Sequence, residues 1–165
     1  MTDGDARGFL ILCDTNLERK VGNLVSDLSE AEEIIIKTIE DVPSARGGPD
    51  FGKQLQTLLS WAHGVIIVSS QNLSSFIDKK KTDNLPALLK TNSKGSQKVL
   101  EKFLKEESKK VLHKLIIISV DGDKTLPKHL VGKVEIIEKG GDDKTKSDIF
   151  VNKIKSQLAK NMNNI

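Results

Sequence analysis

Four short apolar runs constrain this chain more than any other feature. They are Gly8-Phe9-Leu10-Ile11-Leu12-Cys13, Ile34-Ile35-Ile36-Lys37-Thr38-Ile39, Val65-Ile66-Ile67-Val68 and Leu115-Ile116-Ile117-Ile118-Ser119-Val120. Each is shorter than an ordinary helix, and most are apolar at consecutive positions, with β-branched residues dominating the last three. A strand of that composition has to bury both of its faces. Parallel sheets meet that need, because their crossover helices cover the two sides. Between the runs the apolar spacing becomes helical: Leu17, Val21, Leu24, Val25 and Leu28 follow the first run, and Phe51, Leu55, Leu58, Leu59 and Ala62 precede the third. Val99, Leu100, Phe103 and Leu104, within a helix expected over 97–110, precede the fourth.

Val134 to Ile137 reads as a short fifth strand and Ile149 to Lys160 as a closing helix. The alternation predicts an α/β fold: a flavodoxin-like, doubly wound five-stranded parallel sheet with helices on both faces. A length of 165 residues suits one such domain. Its expected span is 8–160, between a disordered tail over 1–7 and a short tail over 161–165. The stretch 77–97 has no clear period, and Pro43-Ser44-Ala45-Arg46-Gly47-Gly48-Pro49 is a loop. One cysteine excludes a disulfide framework and a cysteine zinc site. No apolar run approaches the roughly 20 residues of a membrane span, so no direct membrane insertion is expected. The acidic start Thr2-Asp3-Gly4-Asp5 lacks the cationic opening of a secretory signal, and the expected location is cytoplasmic.

In a doubly wound sheet the carboxyl ends of the strands form the working edge. Cys13-Asp14, the loop after Ile39, Ser69-Ser70 and Asp121-Gly122-Asp123 should therefore gather. Cys13 and Arg19, separated by five residues between a strand and a helix, have the order of a phosphatase loop. Asp14 and Glu18 inside that loop would repel a phosphate and raise the thiol pKa, and no glycine opens the backbone, so Cys13 reads as a core residue. A phospho-acceptor site needs an aspartate after the third strand, where Ser69-Ser70 stands. Gly47-Gly48 lies late in a long loop without the Gly-Lys-Ser/Thr of a phosphate-binding loop. His63, His113 and His129 are dispersed. His63, beside Trp61, reads as an ordinary helix-end residue. No catalytic residue, cofactor or metal is expected from these patterns.

The order of motifs from Glu40 to Phe76 resembles that of a TIR (Toll/interleukin receptor) domain or its relative, the SEFIR domain. Glu40-Asp41-Val42-Pro43 leads to Gly47-Gly48-Pro49 in the place of the family's BB loop. An amphipathic segment, an apolar strand and Ser69-Ser70-Gln71-Asn72-Leu73 follow in the family's order. Ser74-Ser75-Phe76-Ile77-Asp78-Lys79-Lys80 stands where the family has Ser-x-Trp-Cys-x-x-Glu, and Phe150-Val151-Asn152-Lys153-Ile154 weakly echoes its late Phe-Trp box. The likeness spans roughly residues 8–160. It implies an adaptor-like signalling domain of innate immunity that binds other TIR or SEFIR domains or itself. Enzymatic members cleave the nicotinamide–ribose bond of NAD with the glutamate that ends this element. Lys80 occupies that position here, and its charge would oppose an oxocarbenium-like centre. The resemblance therefore leans away from an enzyme, with an NAD glycohydrolase using an atypically placed acid as the alternative.

Charge distribution supplies a separate argument for assembly. The net charge of +3 hides segments that differ in sign. Residues 1–78 hold 6 basic and 12 acidic side chains, 79–114 hold 11 and 4, and 115–165 hold 9 and 7. Two opposed contact surfaces are expected. One is the loop with Asp41, Pro43, Arg46, Gly47, Gly48, Pro49 and Asp50; the other is a basic surface with Lys79, Lys80, Lys81, Lys98, Lys102 and Lys105. The lysine-rich region has no arginine and only Phe76 and Phe103 as aromatic residues, so nucleic acid is not an expected partner.

Overall fold

The computed structural model describes residues 7–13, 17, 19, 21–22, 34–38, 51–78, 93–110, 114–139 and 144–163. The strands are β1 (Arg7–Leu12), β2 (Ile34–Thr38), β3 (Gly64–Val68), β4 (Leu115–Ser119) and β5 (Ile136–Glu138). The helices are α1 (Phe51–Trp61), α2 (Gln71–Ile77), α3 (Ser93–Glu107) and α4 (Lys144–Asn163). Strand order is β2-β1-β3-β4-β5, and every ladder is parallel. Four strands form the body of the sheet, and the three-residue β5 adds a short ladder at one edge. The winding direction reverses between β1 and β3.

The consecutive apolar residues of β1, β3 and β4 divide between two cores. Leu10, Leu12, Val65, Ile67, Leu115 and Ile117 pack with α1, α2 and α3 through Leu55, Leu59, Leu73, Phe76, Leu100 and Leu104. Phe9, Ile11, Ile66, Val68, Ile116 and Ile118 pack on the other side with Leu17, Val21, Phe150 and Ile154. A polar residue at either parity would open one core to water, which is why the runs do not alternate. Each side chain of this size contributes roughly 1.5–3 kcal/mol on burial.

The pole at the start of the strands is closed by a reciprocal pair. The His63 N–H donates to the Gly8 carbonyl at 2.7 Å, and the Gly8 N–H donates to His63 Nδ1 at 3.2 Å. His63 thus joins the end of α1 to β1, a role beyond that of an ordinary helix-end residue. The Trp61 ring lies over the same glycine, so closely that a Cβ there would stand 2.3 Å from it.

Several boundaries differ from the sequence reading. The helix α2 replaces what read as a polar cluster running into an irregular stretch. Its cause is local: Ser70 is extended (φ −158°, ψ 152°), and its Oγ accepts the Leu73 N–H. The helix α3 begins at Ser93, within the stretch read as irregular, and ends at Glu107, where Ser108 to Lys110 turn away with the Lys110 N–H on the Glu107 carbonyl. The strand β5 lies two residues later at its start than Val134, because Gly132 (φ +75°) and a turn occupy the approach. The helix α4 begins at Lys144 and continues to Asn163, past the boundary expected at 160. The expected helix positions Leu24, Val25 and Leu28, and the loop 43–49, lie outside the described residues.

Candidate functional site

At the carboxyl edge, Ser69, Ser70 and the loop after β4 do come together. Ser119 Oγ donates to the Asp123 carbonyl at 2.9 Å. Asp121 Oδ1 accepts the Asp123 N–H at 3.1 Å, with Gly122 between them at φ +90°. Asp123 then reaches across to α2: its Oδ2 accepts the Gln71 N–H at 3.0 Å while Oδ1 accepts the Thr125 N–H at 2.9 Å. Ser74 Oγ donates to the Thr125 carbonyl, and the Asp78 carboxylate accepts the Lys128 N–H at 3.1 to 3.2 Å.

These carboxylates organise backbone. Burial pushes the Asp123 carboxyl up, but the hydrogen bonds from the Thr125 side chain and N–H and from the Gln71 N–H outweigh it, and its pKa lies below the usual aspartate value. The first turn of α2 contains no acidic residue, so an aspartate from another element meets its Gln71 N–H. Ser69 is different. It is 1% exposed, its N–H donates to the Ile118 carbonyl, and its Oγ has no hydrogen-bond partner among the described residues. Cys13 is half-buried against the second core, which matches a packing role for the thiol. Asp14 and the loop after Ile39 are outside the described residues, as are Asp41, Pro43, Arg46, Gly47, Gly48, Pro49 and Asp50.

Of the expected basic surface, Lys79, Lys80 and Lys81 also lie outside the described residues, whereas Lys98, Lys102 and Lys105 are exposed on α3. Their spacing of four and three places them on one face of the helix. Among the described residues, none of these three forms an ion pair. Beside Lys98 and Lys102 runs a groove of about 230 Å³ between α1 and α3, with Leu59, Val99 and Phe103 among its lining residues.

Lys114, which in the sequence counted only as a charge, links the two helices that flank the groove. Its Nζ donates to the Leu59 and Ala62 carbonyls at 2.6 and 3.0 Å, closing the C-terminal end of α1, and stands 5.5 Å from the Phe103 ring centre. Its N–H donates to Oε1 of Glu107, a carboxylate only 3% exposed that also pairs with Lys110. Burial lowers the Lys114 pKa; Glu107 opposes that shift and Lys110 adds to it. A fixed cation thus ties α1, α3 and the start of β4 together.

Among the described residues, no three His, Cys, Asp or Glu side chains stand together as metal ligands, and no helix is long and apolar enough to cross a membrane. Compared with protein-family models and with curated proteins, the sequence matches none.

Proposed function

We propose that this chain is a protein-interaction domain of TIR or SEFIR type, built on a flavodoxin-like five-stranded sheet. It acts as an adaptor that self-associates or binds other such domains in cytoplasmic innate immune signalling. One observation carries the reading: the unit from β3 through Ser69-Ser70 to α2. An apolar strand buried throughout ends in two buried serines, the second caps a helix, and that helix buries Phe76 (2% exposed) and Ile77 (0%). Those are the positions where the resemblance puts the family's Trp and Cys, and their burial here supports the reading. The sheet order, with its reversal between β1 and β3, supports the same reading.

The test separates binding from turnover. The purified chain is incubated with NAD while nicotinamide release is followed, and in parallel its mass is measured by light scattering across concentration and salt. The expected result is no nicotinamide release and a mass that grows with concentration at low salt. Turnover abolished by replacing a single acid between residues 78 and 107 would replace the adaptor reading with the glycohydrolase one.

A further inference from the structure

We propose that the groove between α1 and α3 seats the acidic N-terminal half of a second copy of this chain. This rests on the assembly reading above and adds to it a place, a floor and a partner.

The floor is apolar. Leu59 is buried, and Val99 and Phe103, half-buried and one helical turn apart on α3, pack against the core from above. Lys98 and Lys102 repeat the same spacing one position earlier, so a row of ammonium groups runs beside the apolar row. Nothing on the opposite wall neutralises them. The helix α1 contributes the uncharged Gln56 and Ser60 to the groove, and its eleven residues contain no carboxylate. Glu106 is the single acid among the lining residues. An apolar strip flanked by cations with no ion pair among the described residues is complementary to an apolar side chain flanked by carboxylates.

The chain itself contains that complement. Residues 27–50 hold seven carboxylates against two cations, with Glu40-Asp41 placed directly before the apolar Val42-Pro43. The groove and the acidic half are different patches of one sequence, so the contact is heterologous: each copy receives one neighbour and enters the next. Such contacts propagate unless the rotation closes a ring.

Sedimentation velocity of the full chain between low and high sodium chloride tests this. K98E/K102E should raise the concentration at half-assembly by about tenfold or more, since each reversed charge turns an attraction into a repulsion. K153E/K160E makes the same change in net charge on exposed residues of α4 and should leave assembly unchanged. S60Y fills the groove from an exposed position without altering charge, and should weaken assembly while the melting temperature stays within about a degree of the parent. Mixing K98E/K102E chains with E40K/D41K chains should restore association that neither forms alone. If the parent stays monomeric at every salt and concentration, both the self-assembly reading and this inference fall. If the parent assembles but K98E/K102E and S60Y assemble equally well, or K153E/K160E is equally impaired, the groove is overturned and the assembly reading survives on another surface.

Discussion

Replacing Lys114 by methionine tests whether a half-buried cation organises the helical layer. Methionine keeps the length of the apolar stem and deletes the ammonium group. Lost with it are charge-assisted bonds to the Leu59 and Ala62 carbonyls, the contact over Phe103, and a cation at the C-terminal end of α1. A cation at a helix C-terminus contributes about 0.3–1 kcal/mol, a cation–π contact about 0.5–1 kcal/mol, and each carbonyl left without a donor costs about 1 kcal/mol or more. The desolvation that lowers the lysine pKa opposes these terms. The net expectation is a loss of about 1–2 kcal/mol, or roughly 2–8 °C in Tm for a domain of this size. The pH dependence carries a sign of its own. With the folded pKa below the unfolded one, the unfolded state binds more protons between the two values, so stability rises with pH across that window. Urea unfolding of parent and K114M from pH 8 to 10.5 should show the parent's advantage growing with pH. An advantage that is absent, or that shrinks as pH rises, refutes the reasoning.

Gly8→Ala should force the Trp61 ring away from a Cβ that would stand 2.3 Å from it. Trp61 is the sole tryptophan, so its emission shifts together with a loss of about 1–3 kcal/mol in denaturant unfolding. The neighbouring serines should behave oppositely: Ser70→Ala removes the α2 cap and costs about 1 kcal/mol, whereas Ser69→Ala removes a buried hydroxyl without a partner among the described residues and should be neutral or stabilising in the same melts. The Asp123 pKa is depressed, so its contribution is present above the unfolded value and disappears as pH falls through the folded one. Asp123→Asn should therefore lose stability at neutral pH, and its difference from the parent should narrow on acidification, as read by thermal melts at successive pH values.

The layer arrangement was legible because burial on two faces leaves a direct trace: a polar residue inside Val65-Ile66-Ile67-Val68 would reach one core or the other. Meeting of Ser69-Ser70 with Asp121-Gly122-Asp123 was legible too, since strand polarity alone brings those ends together. The helix α2 was not. At seven residues it spans barely two turns, too few for a period, and its decisive signal is one serine whose role depends on an extended backbone. Lys114 was invisible for another reason. Its partners are main-chain carbonyls 52 and 55 residues earlier, and a carbonyl has no letter in the sequence. Lys98 and Lys102 were legible as part of a basic surface, but the groove beside them was not, because its uncharged wall comes from α1, a distant part of the chain.

The brevity of β5 has a consequence for how copies of this chain can join. A strand of three residues offers an incoming chain almost no run of free backbone groups, so cross-β growth cannot start efficiently from that edge. Lys124 and Glu138, paired across it at 2.8 Å, also place charge where a fibril would need dry contact. A contact between copies at that edge would have to be made by side chains instead of a main-chain ladder, and would weaken as salt screens the charges.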